Sequence, residues 1–220
     1  MGDAPRVRVW DVPTRLVHWL FVALVGVSWW TAETGRLEWH RWSGYAVLGV
    51  LLFRIYWGFF GGSTARFGRF VHGPRGVLDY MRGRWTPVAG HNPLGSWSVV
   101  ALIVLLLVQV GLGLFAVDVD GIESGPLSMY VDFDTGRTCA KLHDLVFTIL
   151  QVVILVHVLA VLFYLIFKKE NLIGAMVTGK RRYSVEGIAP VTAASWLRLI
   201  VGVLLATGLT WVIVAVVGAG

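Results

Sequence analysis

The sequence predicts an all-α membrane protein, on three observations. Of its 220 residues, 56% are hydrophobic and only 15% are charged, whereas soluble globular domains carry about 25% charged residues. The mean hydropathy is +0.71. Five apolar stretches are long enough to cross a bilayer as helices, which takes roughly 20 residues each. A soluble cytoplasmic enzyme is therefore disfavoured.

The five apolar stretches are distributed along the whole chain. Asp11 suits the N-cap position and Pro13 the first turn of a helix, so the first helix is expected to begin near Val12. The long loop 118–142 is acidic and shows no clear apolar periodicity. The predicted spans are Leu16–Thr31, Ser43–Phe60, Trp97–Val117, Leu145–Phe167 and Leu199–Val217.

The basic residues predict an orientation in the membrane. Segments on the N-terminal side of the bilayer hold fourteen Lys and Arg, and the loops on the other side hold four. Because cytoplasmic loops carry the excess of Lys and Arg, we expect a multi-pass protein of the bacterial inner membrane with a cytoplasmic N-terminus and a periplasmic C-terminus. The basic residues follow the sidedness of the membrane and not a groove, so nucleic-acid binding is disfavoured.

One cysteine and six histidines narrow the chemistry. Cys139 is the only cysteine, which excludes a disulfide, an iron–sulfur cluster or a thiolate zinc site within one chain. His143 and His157 lie in the fourth span, fourteen residues apart. Fourteen residues fall 40° short of four full turns, so both rings point the same way, about 21 Å apart along the helix axis. That separation is too large for one metal ion and suits two sites across one bilayer.

Each of these histidines has a predicted partner at its own depth. His40 lies at the outer end of the second span, level with His143, and His18 lies in the first span, roughly level with His157. Two imidazoles on facing helices are the axial ligands that a six-coordinate haem requires. Gly44, one turn after His40, would leave room for a flat macrocycle. The alternatives are histidines that hydrogen-bond between helices and a glycine that packs helices closely.

Arg54 is the one charged residue within the second span. It follows His40 by fourteen residues and therefore lies on the same face of the helix. The other spans carry no acidic residue in the inner half of the membrane, so a haem propionate is the expected partner of this guanidinium. The alternative is an arginine that reaches the inner headgroups. His72 lies in a polar loop and is expected to have no ligand role. His91 precedes a predicted N-cap at Asn92, and its role stays open.

Ordered motifs over residues 7–182 resemble the prokaryotic cytochrome b561 family, and within it the b-type cytochrome subunit of nickel–iron hydrogenases. The resemblance implies a four-helix transmembrane bundle over residues 1–182 that binds two haem b groups, with axial ligands at His18, His40, His143 and His157. Residues 183–220 would form a linker and a fifth transmembrane helix outside that core. The motifs are Trp10–Trp19 (WDVPTRLVHW), His40–Tyr45 (HRWSGY), Phe53–Phe59 (FRIYWGF), Ala65–Phe67 (ARF), Gly90–Gly95 (GHNPLG) and Lys169–Gly179 (KENLIGAMVTG).

The predicted function is electron transfer across the membrane. Two histidine ligands leave no open position on the iron, which favours electron transfer over oxygen chemistry. The resemblance implies membrane quinone and a redox protein, a hydrogenase or a c-type cytochrome, as partners in a respiratory chain. The chain is expected to be an electron-transfer subunit and not itself a catalyst, with a quinol oxidoreductase component as the alternative. Its oligomeric state stays open, a homodimer included.

Two other classes of function remain as alternatives. One is a proton or ion channel or transporter that would use His18, His157 and Arg54 along its path. A purified haem protein is red, whereas a transporter is colourless, so colour distinguishes them. The other is a membrane anchor for a peripheral enzyme, which has no need of paired histidines.

Overall fold

The computed structural model describes residues 6–86, 88–120, 123–183 and 189–217, and these are mostly helical. Short strands, a 3₁₀-helix at Ser128–Tyr130 and a π-helix at Val212–Val217 accompany the α-helices. The α-helices are α1 (Val12–Glu33), α2 (Leu37–Phe60), α3 (Phe67–Phe70), α4 (Pro74–Met81), α5 (Pro93–Phe115), α6 (Phe133–Ile166), α7 (Leu172–Thr178) and α8 (Trp196–Trp211).

Five of these helices, α1, α2, α5, α6 and α8, are long and apolar enough to cross a membrane, which confirms the five predicted spans. The helices extend beyond the apolar stretches, because hydropathy marks only the part of a helix that suits lipid. The difference is largest at α6, which begins at Phe133 and not near Leu145. The expectation of an irregular loop up to residue 142 was therefore wrong for its last ten residues.

Contacts within the chain divide it into two units. Unit 1 comprises Met1–Val17, Arg54–Ala101 and Leu155–Ile200. Unit 2 comprises His18–Phe53, Leu102–Ile154 and Val201–Gly220. The predicted division between a four-helix domain and residues 183–220 stays a prediction.

Unit 1 contains a small two-stranded ribbon. Strand β1 (Arg6–Arg8) pairs antiparallel with β2 (Lys180–Arg182). The ribbon adjoins a cluster of buried apolar side chains, formed by Val9, Trp10, Ala175 and Tyr183. The turn into β2 is made by Gly179, whose φ of 78° ends α7 in the left-handed conformation that glycine adopts without strain.

The starts of two membrane helices in unit 1 agree with the sequence-based expectation. The Asp11 carboxylate, which is 3% exposed, accepts hydrogen bonds from the Thr14 backbone N–H at 2.9 Å and from the Trp57 indole at 3.0 Å. The Asn92 side chain accepts one from the Gly95 N–H at 2.7 Å, and α5 begins at the next residue, Pro93. Asp11 and Asn92 therefore cap α1 and α5, as predicted.

In unit 2 the fifth membrane helix packs through small residues. Gly202 and Ala206 of α8 are buried, four residues apart on one face. Thr210 follows Ala206 by four residues on the same face of α8. A Cβ atom added to Gly49 of α2 would lie 3.3 Å from the Thr210 hydroxyl. Small side chains at this spacing let two membrane helices approach closely.

Candidate functional site

His40 and His143 lie next to each other in unit 2. The centroids of their rings are 6.0 Å apart, and the ring planes are nearly perpendicular, at 87°. His40 is in the first turn of α2, and His143 is in the third turn of α6. The structure thus brings together the pair that was expected at the outer end of the bundle.

Both imidazoles are oriented by backbone carbonyls. The Nδ1 atom of His40 lies 2.8 Å from the Ser28 carbonyl oxygen, and that of His143 lies 2.9 Å from the Gln109 carbonyl oxygen. A carbonyl oxygen only accepts hydrogen bonds, so both Nδ1 atoms carry the proton and donate it. Each ring therefore keeps the lone pair of its Nε2 atom for a ligand, an arrangement typical of histidines that bind a metal.

The spacing of the two rings fits a metal ion between them. An imidazole nitrogen binds a transition metal at about 2 Å, so two nitrogens in line on opposite sides of one ion put the ring centroids about 6 Å apart. The observed centroid distance is 6.0 Å. Two neutral imidazoles are also the complete axial ligand set of a six-coordinate haem, so the donors and their separation both fit that group.

Two glycines flank this histidine pair. A Cβ atom on Gly113 of α5 would lie 2.9 Å from Cε1 of His143, so only glycine lets α5 approach the ring this closely. A Cβ atom on Gly44 would meet no atom within 4 Å among the described residues. The role of Gly44 beside a macrocycle stays a prediction. Gly113 was not predicted, although the short Gly111–Gly113 pattern in an apolar span was a usable signal.

His18 and His157 belong to different units. In unit 2 the ring of His18 meets the edge of the Trp19 ring at a centroid distance of 5.0 Å. In unit 1 the Nδ1 atom of His157 lies 3.5 Å from the Ser98 hydroxyl of α5. The pairing of these two histidines stays a prediction. Ser98, a polar residue within an apolar span, was not predicted as a neighbour of His157.

Arg54 is buried in unit 1, with only 5% of its surface exposed. Its guanidinium stacks over the Phe67 ring at 5.0 Å from the centroid. Within the part of the chain that the structure describes, its Nη1 atom has no hydrogen-bond acceptor. Asp11 acts on it electrostatically, although the two form no ion pair there. The expectation that no carboxylate lies near Arg54 was incomplete, because Asp11 precedes the predicted span and was not considered.

Gly58 and the remaining histidines serve aromatic packing in unit 1. A Cβ atom on Gly58 would overlap the Phe67 ring, so the space beside this glycine is filled by a side chain. His72 packs on Trp85 at a centroid distance of 4.5 Å. The ring of His91 lies 4.6 Å from that of Trp10 and also contacts Phe70.

Unit 1 also contains a cavity of about 870 Å³, which the sequence did not predict. On one wall the Asn92 amide donates hydrogen bonds to the hydroxyls of Tyr80, at 3.1 Å, and Tyr164, at 2.8 Å. The two hydroxyls also bond to each other. Burial and the bond to Tyr164 raise the pKa of the Tyr80 phenol above its usual value, so Tyr80 stays protonated at neutral pH.

The apolar helices and the oriented histidine pair define a membrane protein of the b-type cytochrome class. Residues 9–179 match the family model described as "Prokaryotic cytochrome b561". The match covers most of the chain, and the protein belongs to that family. No curated protein and no solved structure matches it. Family membership implies b-type haem and a role in electron transfer.

Proposed function

We propose that this protein binds two haem b groups and carries electrons across the membrane between the quinone pool and a partner redox protein, a hydrogenase or a c-type cytochrome, in a respiratory chain. The observation that carries the proposal is the pair of His40 and His143. Their rings are 6.0 Å apart, and both Nδ1 atoms face carbonyl oxygens. Membership of the cytochrome b561 family supports the same chemistry.

In this proposal His40 and His143 hold one haem, and His18 and His157 hold the other. Haem supplies the one-electron carrier. The Ser28 and Gln109 carbonyls hold the two imidazoles in the ligating tautomer and increase the basicity of Nε2. With both pairs of histidines bound to iron, no position would be open to a substrate, and the chain would transfer electrons without bond chemistry at the metal.

Arg54 is proposed to pair with a propionate of the haem held by His18 and His157. A guanidinium at the centre of a membrane helix costs about 2.5–3.5 kcal/mol on the insertion scale unless it is paired. Arg54 is buried, and its Nη1 atom has no acceptor within the described residues. Asp11 compensates its charge only from a distance, so a second anion would complete the pairing.

Haem stoichiometry tests the core of the proposal. The pyridine haemochrome assay on purified protein should give two haem b per chain. The sequence has no Cys-x-x-Cys-His motif, so acid–acetone should extract all of the haem. A ratio of one, or haem that remains on the polypeptide, would contradict the proposal.

Single substitutions test the assignment of the ligands. His40→Ala and His143→Ala should each remove the same haem, and His18→Ala and His157→Ala should each remove the other. His72→Ala is the control and should retain both, because His72 packs on Trp85. The measurement is haem content together with the reduced-minus-oxidised spectrum. If the His18 and His143 variants lost the same haem, the assignment would be wrong.

Arg54→Leu tests the propionate pairing. Loss of the cation leaves a propionate without compensation, which favours the ferric state. One haem should therefore show a lower reduction potential while the other hardly changes, in a redox titration that resolves both. Arg69→Leu is the matched control, because Arg69 is exposed in the short helix α3 that follows the same span. Two unchanged potentials at full haem content would show that Arg54 has no propionate partner.

A further inference from the structure

The ribbon of unit 1 sets like charges opposite one another. In its register Arg6 faces Arg182 and Arg8 faces Lys180. These four side chains lie on one face of the ribbon, because alternate residues of a strand point to the same side. Like charges directly opposite each other destabilise a strand pair. An anion bound to that face would offset the repulsion between the facing cations.

Two further lysines lie where α6 ends. Lys168 and Lys169 lie two and three residues after Ile166, the last residue of α6, and the Glu170 N–H donates a hydrogen bond to the Tyr164 carbonyl at 3.0 Å. Lys169, in the turn that this hydrogen bond closes, has a φ of 57° and so adopts the left-handed conformation. Glycine is the usual residue there, because a side chain in this conformation is strained. A lysine at this strained position indicates a use for its charge.

The ribbon and the end of α6 border the same cavity. Among the residues that the structure describes, six basic residues and one acidic residue line it, and the acidic one, Glu170, is already bonded to Arg181 at 2.6 Å. The described lining of the cavity therefore has an excess of positive charge. We call Arg6, Lys168, Lys169 and Lys180 the basic rim.

We propose that the basic rim binds the phosphate of an anionic phospholipid headgroup. The apolar part of α6 ends at Ile166, two residues before Lys168, which puts the rim at the level of the bilayer headgroups. Lysine and arginine beside a membrane helix attract anionic lipids. The volume of about 870 Å³ is large enough for a headgroup, and the inference is independent of the haem ligands.

The first experiment measures lipid binding by native mass spectrometry of the purified holoprotein in detergent. Phosphatidylglycerol, phosphatidylcholine and inorganic phosphate are titrated in parallel. The wild type should bind phosphatidylglycerol in preference to the other two. The double variant Lys168→Gln/Lys169→Gln should bind it about thirtyfold more weakly, the ratio expected for two interfacial cations. The control Arg75→Gln/Arg84→Gln removes the same charge at exposed positions that do not line the cavity, and it should bind like the wild type.

A second variant protects the test against a simple loss of folding. Arg6→Gln/Lys180→Gln removes one charge from each like-charged cross-strand pair. In phosphatidylcholine this variant should melt at a higher temperature than the wild type, because the substitutions relieve the repulsion between the strands. When phosphatidylglycerol is added, its melting temperature should rise by less than that of the wild type. Equal gains in both proteins would overturn the proposal. Binding of inorganic phosphate as tightly as phosphatidylglycerol would also overturn it, as would an equal loss of binding in the control.

Discussion

At the scale of single residues, the position of the His143 ring depends on a backbone that approaches it closely. Gly113 of α5 lets the helix come within contact of the imidazole, while the Gln109 carbonyl of the same helix holds its Nδ1 atom. One short stretch of α5 therefore sets both the orientation and the position of a proposed ligand. Neither contact involves a side chain of α5, which is why the sequence shows them poorly.

Gly113→Ala should displace the His143 ring, because the new Cβ atom would lie 2.9 Å from Cε1. We expect a changed spectrum or a partial loss of one haem, measured by low-temperature optical spectra and haem content. Gly111→Ala is the matched control. Residue 111 lies about 200° around the helix from residue 113, and a Cβ atom there meets no described atom within 4 Å. Identical spectra for both variants would contradict the assigned role of Gly113.

Gly58→Ala should destabilise unit 1, because its Cβ atom would overlap the Phe67 ring. Overpacking of this kind lowers the free energy of unfolding by about 1–3 kcal/mol. The measurement is thermal unfolding in detergent. Phe67→Leu should restore part of the stability of the Gly58→Ala protein, and Gly68→Ala, where a Cβ atom meets open space, should be neutral. A failure of Phe67→Leu to rescue would show that the ring is not the obstacle.

At the scale of elements, α6 begins well before its apolar part because Asp132 caps its first turn. Asp132 accepts hydrogen bonds from the Thr135 N–H at 2.9 Å and the Thr135 hydroxyl at 2.7 Å. The polar turns that follow carry the helix to Leu145, where the apolar run begins. His143 thus lies in the polar part of a membrane helix, close to its N-terminal end.

The Asp132 cap predicts a dependence on pH. Hydrogen bonds from the Thr135 hydroxyl and N–H lower the pKa of the Asp132 carboxyl. A carboxyl whose pKa is lowered by folding stabilises the folded state at pH values above its unfolded pKa of about 4. This contribution is lost as the pH falls through the lower pKa of the folded state. The melting temperature of the wild type should therefore exceed that of Asp132→Asn at neutral pH, and the difference should vanish in acid. A difference that persists in acid would contradict a charged cap.

At the scale of the whole molecule, the distribution of charge predicts which side of the membrane each loop occupies. Loops with many Lys and Arg stay in the cytoplasm. In a Cys139→Ser background, Asp134→Cys should react with an impermeant maleimide in spheroplasts, and Arg84→Cys only after permeabilisation. Both positions are exposed, so access to the reagent depends on the membrane alone. Labelling of both from the same side would contradict the predicted orientation.

Much of the candidate site could be anticipated because its signals are local and periodic. Helical spacing puts His143 and His157 on one face, and depth puts His40 level with His143. The structure then shows His40 and His143 side by side. Side-chain contacts that depend on two elements lying close together were not predicted. The Phe67 ring beside Gly58 and the network of Tyr80, Tyr164 and Asn92 depend on distances between elements that no sequence spacing gives.

The membrane class, the five helices, the caps at Asp11 and Asn92, and the family were all predictable from the sequence. Those properties follow from hydropathy and from local hydrogen bonding, which act over a few residues. The position of Arg54 over Phe67 and the closing of the ribbon beside a basic cavity are visible only in the folded structure. The reason is physical: these features arise where segments far apart in the chain pack together, and packing depends on the shape of both surfaces.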